Sequence, residues 1–320
     1  MAQSEAAVEP TAAEASPETI IVRDLVKSYG SIRAVDGVSF SVSRGQIFAL
    51  LGPNGAGKTT TVEILEGYRK PDAGTARVLG YDPIAQGHAM KERIGLMLQD
   101  TDLYGKIKVG EAIDLFRSFY SHPQDAGSLL ALVGLESHRG AFFENLSGGQ
   151  KQRLSFALAL AGNPEVAFLD EPTAAMDPQM RHQTWDIIRG LRTQGVTILL
   201  TTHYMEEAQR LADQVAIMDH GRLLAMGTPE DLMAGSAHDI VTFRAPAGVD
   251  LRTFQGLPSV VNVREERPGL YAITTTDALD TVGALSGWHV RTGTPIEGLR
   301  VSGATLEDIF LNLTGTEVRD

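Results

Sequence analysis

The sequence predicts an α/β domain built on a mainly parallel sheet, followed by a smaller α+β domain. Three observations carry that expectation. Across residues 19–235, short apolar runs alternate with stretches of helical spacing, the succession that a parallel sheet with crossover helices requires. At about 105–160 strand spacing gives way to helical spacing, which reads as a helical insertion. Beyond about residue 235 the apolar runs become short and alternating and are mixed with helices.

Taken in order, residues 19–26 and 38–42 alternate apolar and polar, the period of half-buried strands. Residues 47–51 form a continuous apolar run followed by glycine, as expected of a strand buried on both faces. A glycine-rich loop and a helix starting near Lys58 follow directly. In the insertion, Ala112, Leu115, Phe116 and Phe119 fall at helical spacing and predict one apolar face. The sheet resumes at 166–169, 196–201 and 214–218, separated by helices around 180–191 and 205–211. Thr228-Pro229-Glu230-Asp231 opens a helix, and the first domain is expected to close within 227–235. Short strands are then expected at 240–243, 260–263, 271–274 and 289–291, with helices near 277–285 and 305–313. The expected organisation is a disordered leader at 1–18, rich in Ala, Glu, Pro and Ser, a domain at 19–235 and an accessory domain at 236–320.

Composition narrows the function. With 43% hydrophobic and 21% charged residues the chain has the make-up of a globular protein. It contains no cysteine, which removes disulfides and thiolate metal sites. The longest apolar stretches, such as 129–133, fall far below the roughly 18 residues of a membrane-spanning helix, so a membrane link would run through a partner. A formal charge of -12 disfavours nucleic acid or anionic lipid as the principal ligand, since both attract a basic surface.

Gly52-Pro53-Asn54-Gly55-Ala56-Gly57-Lys58-Thr59 has the spacing of a phosphate-binding loop and lies between a predicted buried strand and a predicted helix, the context such a loop needs. Its glycines let backbone N–H groups turn towards phosphates, and the helix N-terminus adds partial positive charge. Lys58 would reach the β and γ phosphates, the Thr59 hydroxyl would ligate Mg²⁺, and Thr60 joins the expected nucleotide contacts. Asp170 and Glu171 follow the strand at 166–169, at the edge where open α/β sheets bind ligands. Asp170 would hold Mg²⁺ through water and Glu171 would polarise the attacking water as general base. An acidic strand end before Pro172 would by itself be a common surface feature; the phosphate loop favours the catalytic reading.

Leu146-Ser147-Gly148-Gly149-Gln150 opens a helix. Average residue usage gives this string in well below roughly one in a thousand chains of this size, so a glycine turn with a serine cap does not account for it. The pentapeptide resembles the signature of the ATP-binding cassette (ABC) family, and the resemblance covers residues 19–235. It implies a P-loop NTPase cassette with antiparallel N-terminal strands, a mainly parallel sheet and a helical insertion. It also implies ATP as substrate and Mg²⁺ as cofactor. By the same resemblance Tyr29 would stack on adenine, Gln99 would touch Mg²⁺ and signal to a membrane partner, Asp177 would belong to the loop that crosses the dimer interface, and His203 would hold the γ-phosphate. Ala174-Ala175-Met176 departs from the family's usual small residue, glycine and leucine in that loop. His88, His138 and His220 read as structural or surface residues.

The family's arrangement is a pair of cassettes with ATP at the interface, Ser147, Gly148 and Gly149 of one subunit capping the phosphate held by Lys58 and His203 of the other. The segment from Ala304 to Gly315 resembles the tail of daunorubicin-resistance-type exporter ATPases. Those likenesses imply an export ATPase working with a separate polytopic permease, peripheral at the cytoplasmic face of the membrane, as a homodimer or paired cassette and without nucleic acid. The alternative is a soluble cassette ATPase acting on ribosomes or DNA, against which stand the single cassette and the absence of a coiled-coil insertion. Cargo is not legible.

Overall fold

A computed structural model describes residues 18–97, 103–174, 176–234, 238–303 and 305–314. The chain opens with β1 (Glu18–Tyr29) and β2 (Ile32–Ser43), a long antiparallel hairpin that pairs Val22 with Phe40. Next come β3 (Ile47–Leu51), α1 (Lys58–Leu65), β4 (Ala73–Val78), α2 (Gly87–Lys91) and β5 (Ile94–Met97). The helical insertion contributes α3 (Val109–Arg117), α4 (Ala126–Leu132) and α5 (Gly148–Ala159). Then β6 (Val166–Asp170), α6 (Pro178–Thr193), β7 (Thr197–Thr202), α7 (Met205–Leu211) and β8 (Gln214–Asp219) alternate in the expected manner, and β9 (Arg222–Gly227) and α8 (Pro229–Ala234) follow. The remainder holds β10 (Asp239–Arg244), α9 (Leu251–Gln255), β11 (Val260–Arg267), β12 (Leu270–Thr275), α10 (Ala278–Thr292), β13 (Glu297–Gly303) and α11 (Leu306–Thr314).

Hydrogen bonding orders three sheets: β2-β1-β4, the six strands β5-β6-β7-β3-β8-β9, and β11-β12-β10-β13. The pairs β5/β6 and β6/β7 are parallel and place Leu169 opposite Leu200. Every residue of β3, β6 and β7 is buried, which is why β3, the first four residues of β6 and the centre of β7 are apolar. The chain divides into two compact units, one of residues 1–48, 57–201 and 220–222, the other of 49–56, 202–219 and 223–320.

Within the second unit, the sheet β11-β12-β10-β13 is antiparallel throughout and packs its apolar face on α9 and α10. Its core is aromatic: Phe254 lies 5.0 Å from Trp288 and 5.2 Å from Phe243, centroid to centroid. The tail helix α11 is capped by Thr305, whose Oγ1 accepts from the Asp308 N–H while the Asp308 carboxylate accepts from the Thr305 N–H. Asp308 also accepts a 2.8 Å bond from Arg264 on β11, and α11 packs against α7 and α8.

Two expectations need correction. Residues 289–291 are not a strand but the last turn of α10, which starts at the Asp277 cap and runs to Gly293, a left-handed stop at φ 65°. Three alternating residues cannot outweigh a helix that already buries Thr281, Leu285 and Trp288 on one face. In α3 the buried stripe is Val109, Ala112 and Ile113, whereas Leu115 is exposed and Phe119, 61% exposed, lies past the helix end. The spacing identified the helix but chose a face rotated from the buried one. Strands β4, β9 and β13 had no strong sequence signal, since their residues alternate weakly or are exposed throughout.

Candidate functional site

The phosphate-binding loop follows β3 directly. Ala56 N–H donates to the Pro53 carbonyl at 3.2 Å, closing a turn. A side chain at Gly52 is sterically barred, because a Cβ there would stand 2.3 Å from the Met218 carbonyl oxygen. Gly52→Ala is therefore expected to displace the loop, costing about 1–3 kcal/mol of stability and weakening nucleotide binding. Calorimetric unfolding with nucleotide titration checks this, and an unchanged Tm and affinity would contradict it. Gly57 is the N-cap of α1 at φ 101° and brings no side chain to the helix start, leaving room for an anion. Thr61 Oγ1 donates back to the Gly57 carbonyl at 2.9 Å, fixing the first turn. Thr59 is exposed and Thr60 partly so.

Lys58 is only 6% exposed, and burial pushes its ammonium below the ordinary range while the charges of Glu171 and Asp170 oppose that shift. Asp170, equally buried at the end of β6, has its carboxyl held above the usual aspartate range. Burial is the main cause; the hydrogen bond from Thr201 and the charge of Lys58 work the other way. A buried carboxylate in that state gains from any added cation. The donor set therefore fits ATP with Mg²⁺: an open helix start and a lysine for phosphates, a hydroxyl and a carboxylate for the metal.

Glu171 sits in the left-handed backbone region at φ 48°, a conformation that costs a non-glycine residue about 1 kcal/mol or more. Its N–H donates to both the carbonyl oxygen and Oγ1 of Thr201, each at 3.1 Å. Its carbonyl accepts from Ala174 N–H and from Gln152 Nε2, again each at 3.1 Å. Thr201 thus holds both carboxylate residues, and Gln152 reaches Glu171 from α5. No motif in the sequence singles out either residue, because each matters through the distant residue it meets.

Ser147 is the N-cap of α5. Its Oγ accepts from the Gln150 N–H at 3.3 Å and the Gln150 Oε1 accepts from the Ser147 N–H at 2.9 Å, a reciprocal cap. Gln150 also bonds His138 Nε2 at 2.9 Å, so this histidine, expected to be structural, supports the signature turn. Gly148 and Gly149 have open space where a side chain would stand. Asp177 caps α6 by accepting from the Met180 N–H at 2.9 Å. Tyr29 ends β1, 41% exposed, with Arg69 5.4 Å and Lys27 5.7 Å from its ring centroid. His203 follows β7 and its ring lies 4.2 Å from that of Tyr204. Gln99 lies outside the described residues.

Glu66, at the end of α1, was not anticipated. It is 1% exposed, and neither carboxylate oxygen has a hydrogen-bond partner among the described residues. Burial, then the charges of Asp170 and Glu63, push its carboxyl up to about 8. A raised carboxyl keeps its proton in the folded chain. The neutral form stabilises fully below the unfolded value near 4.5, and that contribution is lost as pH rises to about 8. Glu66→Gln, which is neutral at every pH, should raise Tm markedly at pH 8, where the wild-type cost reaches up to about 5 kcal/mol, and little at pH 5. Equal shifts at both pH values would contradict this assignment.

Residues 35–174 match the family described as ABC transporter. Over 317 residues the chain is 39% identical to the Nod factor export ATP-binding protein I of Ralstonia nicotianae, a match spanning 95% of this chain and 96% of that one. It is 33% identical over 305 residues to the daunorubicin/doxorubicin resistance ATP-binding protein DrrA of Streptomyces peucetius, spanning 92% of each. A solved structure described as the ATP binding subunit of an ABC transporter superposes with a TM-score of 0.63 at 28% identity, covering 68% of this chain and 92% of that one. With the phosphate loop, the paired carboxylates and the signature turn in place, and with relatives matched nearly end to end, this chain belongs to the ABC transporter family as an ATP-binding, ATP-hydrolysing subunit.

Proposed function

We propose that the chain powers export of a drug, lipid or other small molecule through a separate membrane permease, as one of two cassettes that enclose ATP between them. The observation that carries this reading is the near end-to-end likeness to ATP-binding proteins named for export and for drug resistance. Among the described residues no helix is long and apolar enough to cross a membrane, in keeping with a permease on another chain; the proposed place of this chain is peripheral, at the cytoplasmic face. Phe119 and Leu115, exposed on the helical insertion, offer apolar surface for such a partner. The cassette at 19–235 and the accessory domain at 236–320 are the proposed working parts.

In this mechanism the N–H groups from Gly52 to Thr60, with Asn54 and Ala56 between the glycines, wrap the phosphates, and Lys58 balances their charge. Tyr29 stacks on the base. Thr59, Asp170 and Gln99 would hold Mg²⁺, which when bound would supply positive charge against the phosphates. Glu171 takes the proton of the attacking water, and His203 steadies the γ-phosphate. Ser147, Gly148, Gly149 and Gln150, with Asp177, close the nucleotide held by the opposite subunit. ATP then stabilises the closed pair and hydrolysis releases it, a population shift the permease can use.

Purification of the tagged chain from gently solubilised native membranes tests the export reading. A polytopic membrane protein recovered in stoichiometric amount is the expected result. Ribosomes or DNA-bound proteins in its place would overturn transport and leave the ATPase chemistry standing.

A further inference from the structure

We infer that Gln152 is a positioning residue that ties the signature helix to the catalytic carboxylate of its own subunit, so that hydrolysis at one ATP responds to engagement of the other. The inference rests on the proposed roles of Glu171 and of the signature turn, and extends them to regulation between the two sites. Glu171 stands on a strained backbone, and the direction of its side chain depends on how its two peptide groups are held. From β7, Thr201 holds its N–H. On the carbonyl side one bond comes from its own turn, through Ala174, and the other from Gln152 on α5.

The same helix begins at Ser147, the N-cap of the turn proposed to close the partner's nucleotide. A helix moves as a body, so a shift of its N-terminal turn when that turn engages phosphate carries Gln152 with it. The next residue, Arg153, donates to the Val133 and Gly134 carbonyls at 2.8 and 3.2 Å, fastening α5 within the helical insertion. Asp177 lies close enough to Arg153 for its charge to oppose the effect of burial on that guanidinium. One helix therefore begins with the turn proposed to meet the partner's ATP and bonds the peptide proposed to aim the general base. A misplacement of about 1 Å in a reacting group can cost about 10²-fold in rate. The single amide bond from Gln152 is of the right kind to transmit such a shift.

The test is steady-state ATPase activity of the full chain against ATP concentration, for wild type, Gln152→Leu, which keeps bulk but loses the donor, and Gln152→Lys, which keeps a donor. Binding of a non-hydrolysable ATP analogue and Tm are measured alongside. The expected result for Gln152→Leu is a kcat about 10-fold lower and a Hill coefficient falling towards 1, with analogue affinity and Tm close to wild type. Gln152→Lys should recover much of both. Wild-type kcat and Hill coefficient in Gln152→Leu would overturn the inference. So would a loss of kcat matched by loss of affinity and Tm and unrelieved by lysine, since that marks packing alone. Glu171→Gln, run in parallel, separates the two levels: near-normal turnover there removes the base itself, whatever Gln152 does.

Discussion

Glu171→Gln is expected to bind ATP as wild type does and to turn it over about 10² to 10⁴ times more slowly, the usual worth of a general base. The amide keeps the shape of the side chain and the backbone bonds to Thr201 and Gln152, since those involve only the peptide groups. What it loses is the ability to take a proton from water. Removing a negative charge beside Lys58 and Asp170 should, if anything, favour the bound phosphates, because Glu171 is one of the charges acting on both residues. Single-turnover phosphate release beside equilibrium nucleotide binding checks both halves. Turnover at the wild-type rate would take Glu171 out of the role.

Lys58→Ala acts at the opposite end of the same pair of charges, and its effect should fall on binding as well as on rate. Loss of a charge-assisted contact to phosphate corresponds to about 10- to 100-fold in ATP affinity. A further loss of about 10² or more in turnover follows from removing charge stabilisation in the transition state. The consequence spreads to Asp170: Lys58 is among the influences that hold that carboxyl down, so its removal favours the protonated form and weakens the proposed metal site. Nucleotide titration and ATPase assays at saturating Mg²⁺ measure this; affinity and rate both within twofold of wild type would contradict it.

The parts of the fold that were legible are those where burial leaves no ambiguity. The runs ending at Leu51 and Asp170 are buried along their whole length, and α7 coincides with its sequence expectation at 205–211. Periodicity shows that α3 is helical but not which side meets the core, and the burial of Ile113 with exposure of Phe119 was decided by packing within the insertion. The strand expected at 289–291 failed because the local alternation at His289, Val290 and Arg291 carries less weight than the cap at Asp277 and the stop at Gly293. In the candidate site, the motif residues are proposed from the sequence because phosphate chemistry fixes their spacing. Thr201, Gln152 and Glu66 are not, because their importance lies in which distant residue they meet.

Sedimentation of Glu171→Gln with ATP and with ADP tests most directly whether the chain works as a nucleotide-closed pair. The expected result is a dimer with ATP and Mg²⁺ that disperses to monomer with ADP, and that Ser147→Arg, which crowds the signature turn, prevents. A sedimentation coefficient that does not depend on the nucleotide would contradict a cycle in which ATP joins two cassettes and hydrolysis parts them.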